Sequence, residues 1–138
     1  MSLKMPLVRS SILWLLFTTS GLLSSLVQAE EVAPPAYVEL TPIFIVNHQS
    51  EGSQLKYIKT SISIRTDEDR VELIEDNMPV VRDAIVMFLS SRTTDQVTGA
   101  IAREETREGA AEAVNNALKT ETGITPVKDI LFASFVTQ

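Results

Sequence analysis

Residues 67–92, DEDRVELIEDNMPVVRDAIVMFLSSR, constrain the fold more than any other stretch of the chain. Val71, Ile74, Met78, Val81, Ile85 and Phe88 with Leu89 recur at alternating steps of three and four, so one stripe of an α-helix is apolar from end to end. Such a stripe must be buried against something. Pro79 sits inside it, where it removes one backbone hydrogen bond and crowds the carbonyl four residues back. The stripe keeps its phase across the proline, which predicts a bend at residues 75–79, or two abutting helices with Asn77 or Met78 capping the second. Thr66 is the expected cap of the whole element, with Asp67, Glu68 and Asp69 in a first turn whose dipole favours negative charge.

The flanking segments supply the partner. Residues 37–47, YVELTPIFIVN, have the β-branched and aromatic content of a strand but are interrupted by Pro42. A proline donates nothing to a ladder, so residues 37–41 are expected as an edge or pre-strand segment and residues 43–47 as the paired strand. After a polar turn around Gly52, residues 55–66 place Ile58, Ile62 and Ile64 on one face and Tyr57, Lys59, Ser61, Ser63 and Arg65 on the other, a half-wet antiparallel partner. Thr93 with Gln96 is a capping-box pattern for a short helical turn that ends at Gly99. Residues 101–122 are helical again, with Ala102, Thr106, Ala110, Val114 and Leu118 spaced by four, Gly109 in the exposed middle and Gly123 just past the end. Residues 127–138 carry apolar side chains on both faces, which predicts an interior strand packed against the 67–92 helix and intolerant of C-terminal truncation. The expected fold is therefore α+β, a small antiparallel or mixed sheet covered by two long helices.

With 138 residues, 44% of them apolar, the chain supports one domain rather than two. Residues 1–29 read as a targeting segment: Lys4 and Arg9 precede the uncharged run at residues 10–27, and the run closes on Val27-Gln28-Ala29. Two readings follow, signal-peptide cleavage after Ala29 or a retained single-pass anchor, because 18 uncharged residues reach the short end of the roughly 17–25 a bilayer requires. In either case the positive-inside rule places all that follows Ala29 outside the cytoplasm. Residues 30–36, with Pro34-Pro35, are expected as a stiff linker to a domain at residues 37–138. Twelve basic residues less Lys4 and Arg9 leave ten against eighteen acids, a charge of −8 with the cations scattered, which excludes nucleic-acid binding. The absence of cysteine excludes a disulfide framework and thiolate zinc sites.

Catalytic patterns are missing. His48 is the only histidine and lies in a polar context, so it is expected as a solvated loop residue. The acids Asp67, Glu68, Asp69, Glu72, Glu75 and Asp76 do not form an EF-hand, which would need Gly at Glu72 and a bidentate Glu at Met78. No G-x-S-x-G elbow or phosphate-binding Gly-rich loop occurs, and Met78 and Met87 with Phe88 fit a core stripe. The residues alone therefore predict no catalytic, metal or cofactor site and a non-enzymatic role.

Taken in order, several motifs resemble the flagellar basal-body-associated FliL family. They are Tyr37-x-x-Leu40-x-Pro42 leading to Phe44-x-Val46-Asn47, then Met78-Pro79-x-Val81-Arg82-Asp83-Ala84-Ile85 with Phe88-Leu89-Ser90-Ser91. Asn115 with Leu118 follows, and the series ends on Val127-x-Asp129-Ile130-x-Phe132-x-x-Phe135-Val136-x-Gln138. The resemblance implies an exported, stomatin/prohibitin-like domain that assembles with itself into a ring. It further implies contact with the MotA/MotB stator and other basal-body proteins, with the inner membrane if the leader is retained, and a part in motility, swarming and chemotaxis without chemistry of its own. Partner-binding residues do not transfer from it. A free periplasmic binding module for a small molecule or peptide is the alternative of another class.

Overall fold

The computed structural model describes residues 31–138, and the expectations for residues 1–29, including cleavage at Ala29, lie outside the described residues. Strand β1 (Pro35–His48) turns through a polar loop into β2 (Lys56–Asp67), and the chain returns at its end as β3 (Asp129–Thr137). The sheet is antiparallel throughout, in the order β1-β2-β3. Ile58, Thr60, Ile62, Ile64 and Thr66 of β2 all point into the core, as period-two alternation requires.

β1 is longer than the proline pattern suggested. It begins at Pro35, opposite Asp67, so the last two residues of the expected linker are already paired. Both halves pair with β2: Val38 faces Ile64 and Leu40 faces Ile62, then Phe44 faces Thr60 and Val46 faces Ile58. Pro42, after a cis peptide bond, lies in the register shift between Leu40 and Phe44. The irregularity absorbs the missing donor and returns the apolar side chains to the same face, which bulges on edge strands commonly do.

β3 corrects the expectation of an interior strand. It is the other edge, bonded to β2 alone, and α4 rather than the 67–92 helix packs closest to it. A register shift opposite Ser61 and Ile62 changes its phase, so that Ile130, Phe132 and Phe135 face Ile64, Ile62 and Thr60 on the core side. The Thr60 hydroxyl donates to the Ser134 carbonyl at 2.6 Å and stitches the irregular segment to the central strand. Leu131 and Val136 point to the opposite, open face and are exposed, which is why apolar content on two sides did not mean burial on two sides.

Between β2 and β3 the chain is helical. A 3-10 turn (Glu68–Arg70) leads into α1 (Val71–Asp76) and α2 (Met78–Ser90), which abut at Asn77. Pro79 falls in the first turn of α2, where a missing N–H has no intrahelical partner to lose. Asn77 stands at the N-cap position, but its side chain donates back to the Leu73 carbonyl at 2.8 Å and does not cap α2. The stripe holds across the joint: Ile74, Val81, Ile85 and Leu89 are fully buried, each a side chain whose burial is worth about 1.5–3 kcal/mol. Thr66 is not the helix cap. It belongs to β2, and its buried hydroxyl donates to the Pro126 carbonyl at 2.7 Å, tying the strand to the segment before β3.

α3 (Thr94–Val97) is a single turn opened by the Thr93/Gln96 capping box, with the Thr93 N–H donating to Gln96 Oε1 at 3.0 Å. α4 (Ala100–Thr122) buries Thr106, Ala110, Val114 and Leu118 in the expected four-residue rhythm and ends on Gly123 at φ 77°, a left-handed C-cap. Gly109 is not simply an exposed helix breaker. A β-carbon placed there would lie 2.5 Å from Cζ of Phe88, so the missing side chain lets the α2 ring seat against the α4 backbone. Asn115 clamps the start of the last segment, donating from Nδ2 to the Val127 carbonyl at 2.8 Å and accepting the Val127 N–H on Oδ1 at 2.9 Å.

Candidate interaction surfaces

The helices cover one face of the sheet, and no helix or strand among the described residues covers the other face. On it Tyr57, Lys59, Ser61, Ser63 and Arg65 of the central strand are half-buried or exposed. The two edge strands carry its apolar side chains, with Tyr37 and Ile45 of β1 60% and 66% exposed and Val136 of β3 47% exposed. Both outer edges of the sheet are without a strand partner among the described residues, a row of unpaired backbone groups of the kind that accepts another chain unless it is guarded. Pro42 and the two register shifts are such guards.

His48 is not a solvated loop residue. It ends β1 only 6% exposed, opposite Lys56. Its Nδ1 donates to the Gln49 carbonyl at 3.1 Å, and its Nε2 is buried without a protein partner. The neighbouring polar cleft is lined by Gln49, Ser50, Glu51, Lys56, Thr94 and others, and the Thr94 hydroxyl is a second unpartnered buried group there. Gln49 itself bridges to Thr93, and its N–H donates to the Arg92 carbonyl at 2.9 Å. With Glu51 and Asp95 beside one lysine, this cleft has no single sign of charge.

The acidic run divides by position. Asp67 closes β2 and pairs with Lys128 at 3.1 Å, while Glu68, Asp69, Glu72, Glu75 and Asp76 are exposed along the 3-10 turn and α1. Among the described residues no group of three or more His, Cys, Asp or Glu side chains is arranged to hold a metal ion. A second ionic cluster joins α4 to β3, where Arg107 bonds both Asp129 and Glu104, its Nε reaching Glu104 Oε2 at 2.9 Å. The hydrogen bond from Arg107 holds the Glu104 carboxyl below the usual carboxylate range, and the same bond raises the Arg107 guanidinium.

The methionines separate as well. Met78 packs against the core, but Met87 is 64% exposed, contrary to the core-stripe expectation. It borders a trough of about 770 Å³ between α2 and α4 whose lining also includes Pro79, Val80, Ala84, Phe88, Ala113 and Ala117. Sequence reasoning missed this surface because it looked for catalytic signatures. Ala113 and Ala117 carry no chemical mark in the sequence and become part of a surface only where α2 lies beside α4.

Among the described residues no helix is long and apolar enough to cross a membrane. Residues 37–138 match the family described as flagellar basal body-associated protein FliL. A relative from Aquifex aeolicus (strain VF5), described as flagellar protein FliL, is 30% identical over 115 residues, which cover 80% of this chain and 68% of the relative. The family match begins two residues into β1 and runs through β3 to the last residue, so it takes in the whole sheet and every helix just described. On that extent of agreement, this chain belongs to the FliL family of flagellar basal-body-associated proteins.

Proposed function

We propose that the chain is a non-enzymatic scaffold of the flagellar basal body that assembles with itself into a ring and supports the MotA/MotB stator. The observation that carries this reading is the family membership over residues 37–138. Two features of the fold are compatible with it. Among the described residues the sheet offers two unpaired edges and an open face whose apolar side chains lie on the edge strands, and heterologous contacts between unlike edges generate rings when the rotation closes. A stomatin/prohibitin-type architecture is part of the same proposal, as is a place in the periplasm against the inner membrane.

Residues 1–29 act in this reading as the export signal, with the mature chain starting at Glu30, and intact mass of the native protein decides between cleavage and a retained anchor. A ring of individually weak contacts gains from confinement at a membrane, since tethering raises effective concentration. The scaffold reading is tested by crosslinking in the cell between this chain and the periplasmic part of MotB. Crosslinks that depend on assembled stators support it, whereas their absence under conditions that crosslink known basal-body neighbours contradicts it.

A further inference from the structure

We propose that the trough between α2 and α4 is a docking site for an amphipathic helix of a partner protein, one whose apolar face is flanked by lysine or arginine. The inference goes beyond the scaffold reading and stands on the trough alone. α2 and α4 approach closely where Gly109 admits the Phe88 ring, and beyond that contact Ala84, Ala113 and Ala117 leave a depression with an apolar floor, open to solvent. Ala113 and Ala117 are one turn apart on α4, the spacing that lets another helix lie close along the row. Met87 is held out to water at the border, and an unbranched thioether adapts to whatever surface is laid over it.

Charge decides what kind of helix fits. Among the described residues the lining contains two carboxylates, Asp83 and Glu121, and no cation. Neither carboxylate makes a salt bridge among the described residues, although Asp67 and Glu104 do. Of the cations near them in sequence, Arg82 is turned toward the sheet, its guanidinium 4.1 Å from the centroid of Phe44 in β1. Arg92, beyond the end of α2, lies 4.5 Å from the centroid of Phe88 at the trough's border, and Lys119 on α4 makes no salt bridge among the described residues. An apolar floor whose lining carries two carboxylates without a salt bridge matches a helix-in-groove ligand carrying basic flanks. A second copy docking through this same trough would bring Asp83 and Glu121 against their own counterparts.

The test uses the purified full chain and two synthetic amphipathic helical peptides of about 18 residues, identical in their leucine face and flanked by lysine in one and by glutamate in the other. Fluorescence anisotropy is expected to show binding of the lysine-flanked peptide that weakens with added salt. The double charge reversal Asp83→Lys with Glu121→Lys, at surface positions that leave the circular dichroism unchanged, is expected to weaken that binding about tenfold or more and to admit the glutamate-flanked peptide. Equal binding of both peptides, no binding of the lysine-flanked one, or indifference to the reversal overturns the proposal. So does a Met87→Cys chain that crosslinks copy to copy as its main product, which would assign the trough to self-association.

Discussion

Replacing Gly109 by alanine sets two effects of opposite sign against each other. In an open helix the change stabilises by about 1 kcal/mol, because glycine is the poorer helix former by that amount. Here the new β-carbon would stand 2.5 Å from Cζ and 2.9 Å from Cε2 of Phe88, against an ordinary contact of 3.4–4 Å. The ring tip has to retreat by roughly 1 Å, and overpacking of that kind costs about 1–3 kcal/mol. The steric term matches or exceeds the propensity term, so a net loss of about 0–2 kcal/mol is expected with Phe88 present. Removing the ring removes the opposition: in a Phe88→Ala background the same glycine change should stabilise by about 1 kcal/mol. The double-mutant cycle therefore changes sign between backgrounds, an outcome that neither propensity nor a general loss of stability produces. Urea unfolding of the four chains, followed by far-UV circular dichroism at equal m-values, reads it directly. A gain of about 1 kcal/mol from Gly109→Ala in both backgrounds would refute the close seating of Phe88 on α4.

Asn115→Ala should cost about 2 kcal/mol in the same unfolding assay, since it leaves both the N–H and the carbonyl of buried Val127 without their side-chain partner. An effect below about 0.5 kcal/mol would mean that water replaces the clamp. Deleting residues 135–138 removes Phe135 from its place opposite Thr60 and the paired Tyr57 and Gln138 backbone bonds, and should lower Tm sharply. An unchanged melting curve would place the end of β3 outside the cooperative fold. Acid titration followed by carboxyl NMR should find Glu104 protonating below the usual range, because Arg107 favours its ionised form. The stability contributed by that bond is present above the unfolded carboxyl value and is lost as pH falls through the folded one. Arg107→Gln should return the Glu104 titration to the ordinary range, and an unmoved titration would break the assignment.

Periodicity made the helices legible, and the failures of the sequence reading cluster where periodicity breaks. The stripe from Ile74 to Leu89 and the Thr106-to-Leu118 row landed on the core as read, because a helix cannot change phase without a visible insertion. Pro79 was readable because its neighbours kept that phase. Strands are less forgiving: a one-residue irregularity reverses which side faces the core. The shift opposite Ser61 turns Phe135 inward together with Phe132, whereas strict alternation counted from Ile130 would put Phe135 on the open face. Thr66 and His48 were misjudged for a different reason. His48 was expected in solvent because its neighbours are polar, and Thr66 as a helix cap because acids follow it, yet Thr66 is buried in β2 where Pro126 offers it an acceptor, and His48 is buried at a strand end with one ring nitrogen bonded. Such tertiary partners leave no local mark. The trough between α2 and α4 is the extreme case, since it joins residues 79–88 to residues 113–121 and exists only once the two helices are side by side.

The central claim, a scaffold that supports the flagellar motor without chemistry of its own, is tested most directly by a clean in-frame deletion followed by swimming speed in media of increasing viscosity. The account predicts cells that still assemble flagella but lose speed most steeply as load rises, with recovery on re-expression of the intact chain. Deleted cells that swim as the parent does at every viscosity, with unchanged numbers of flagella, would contradict it.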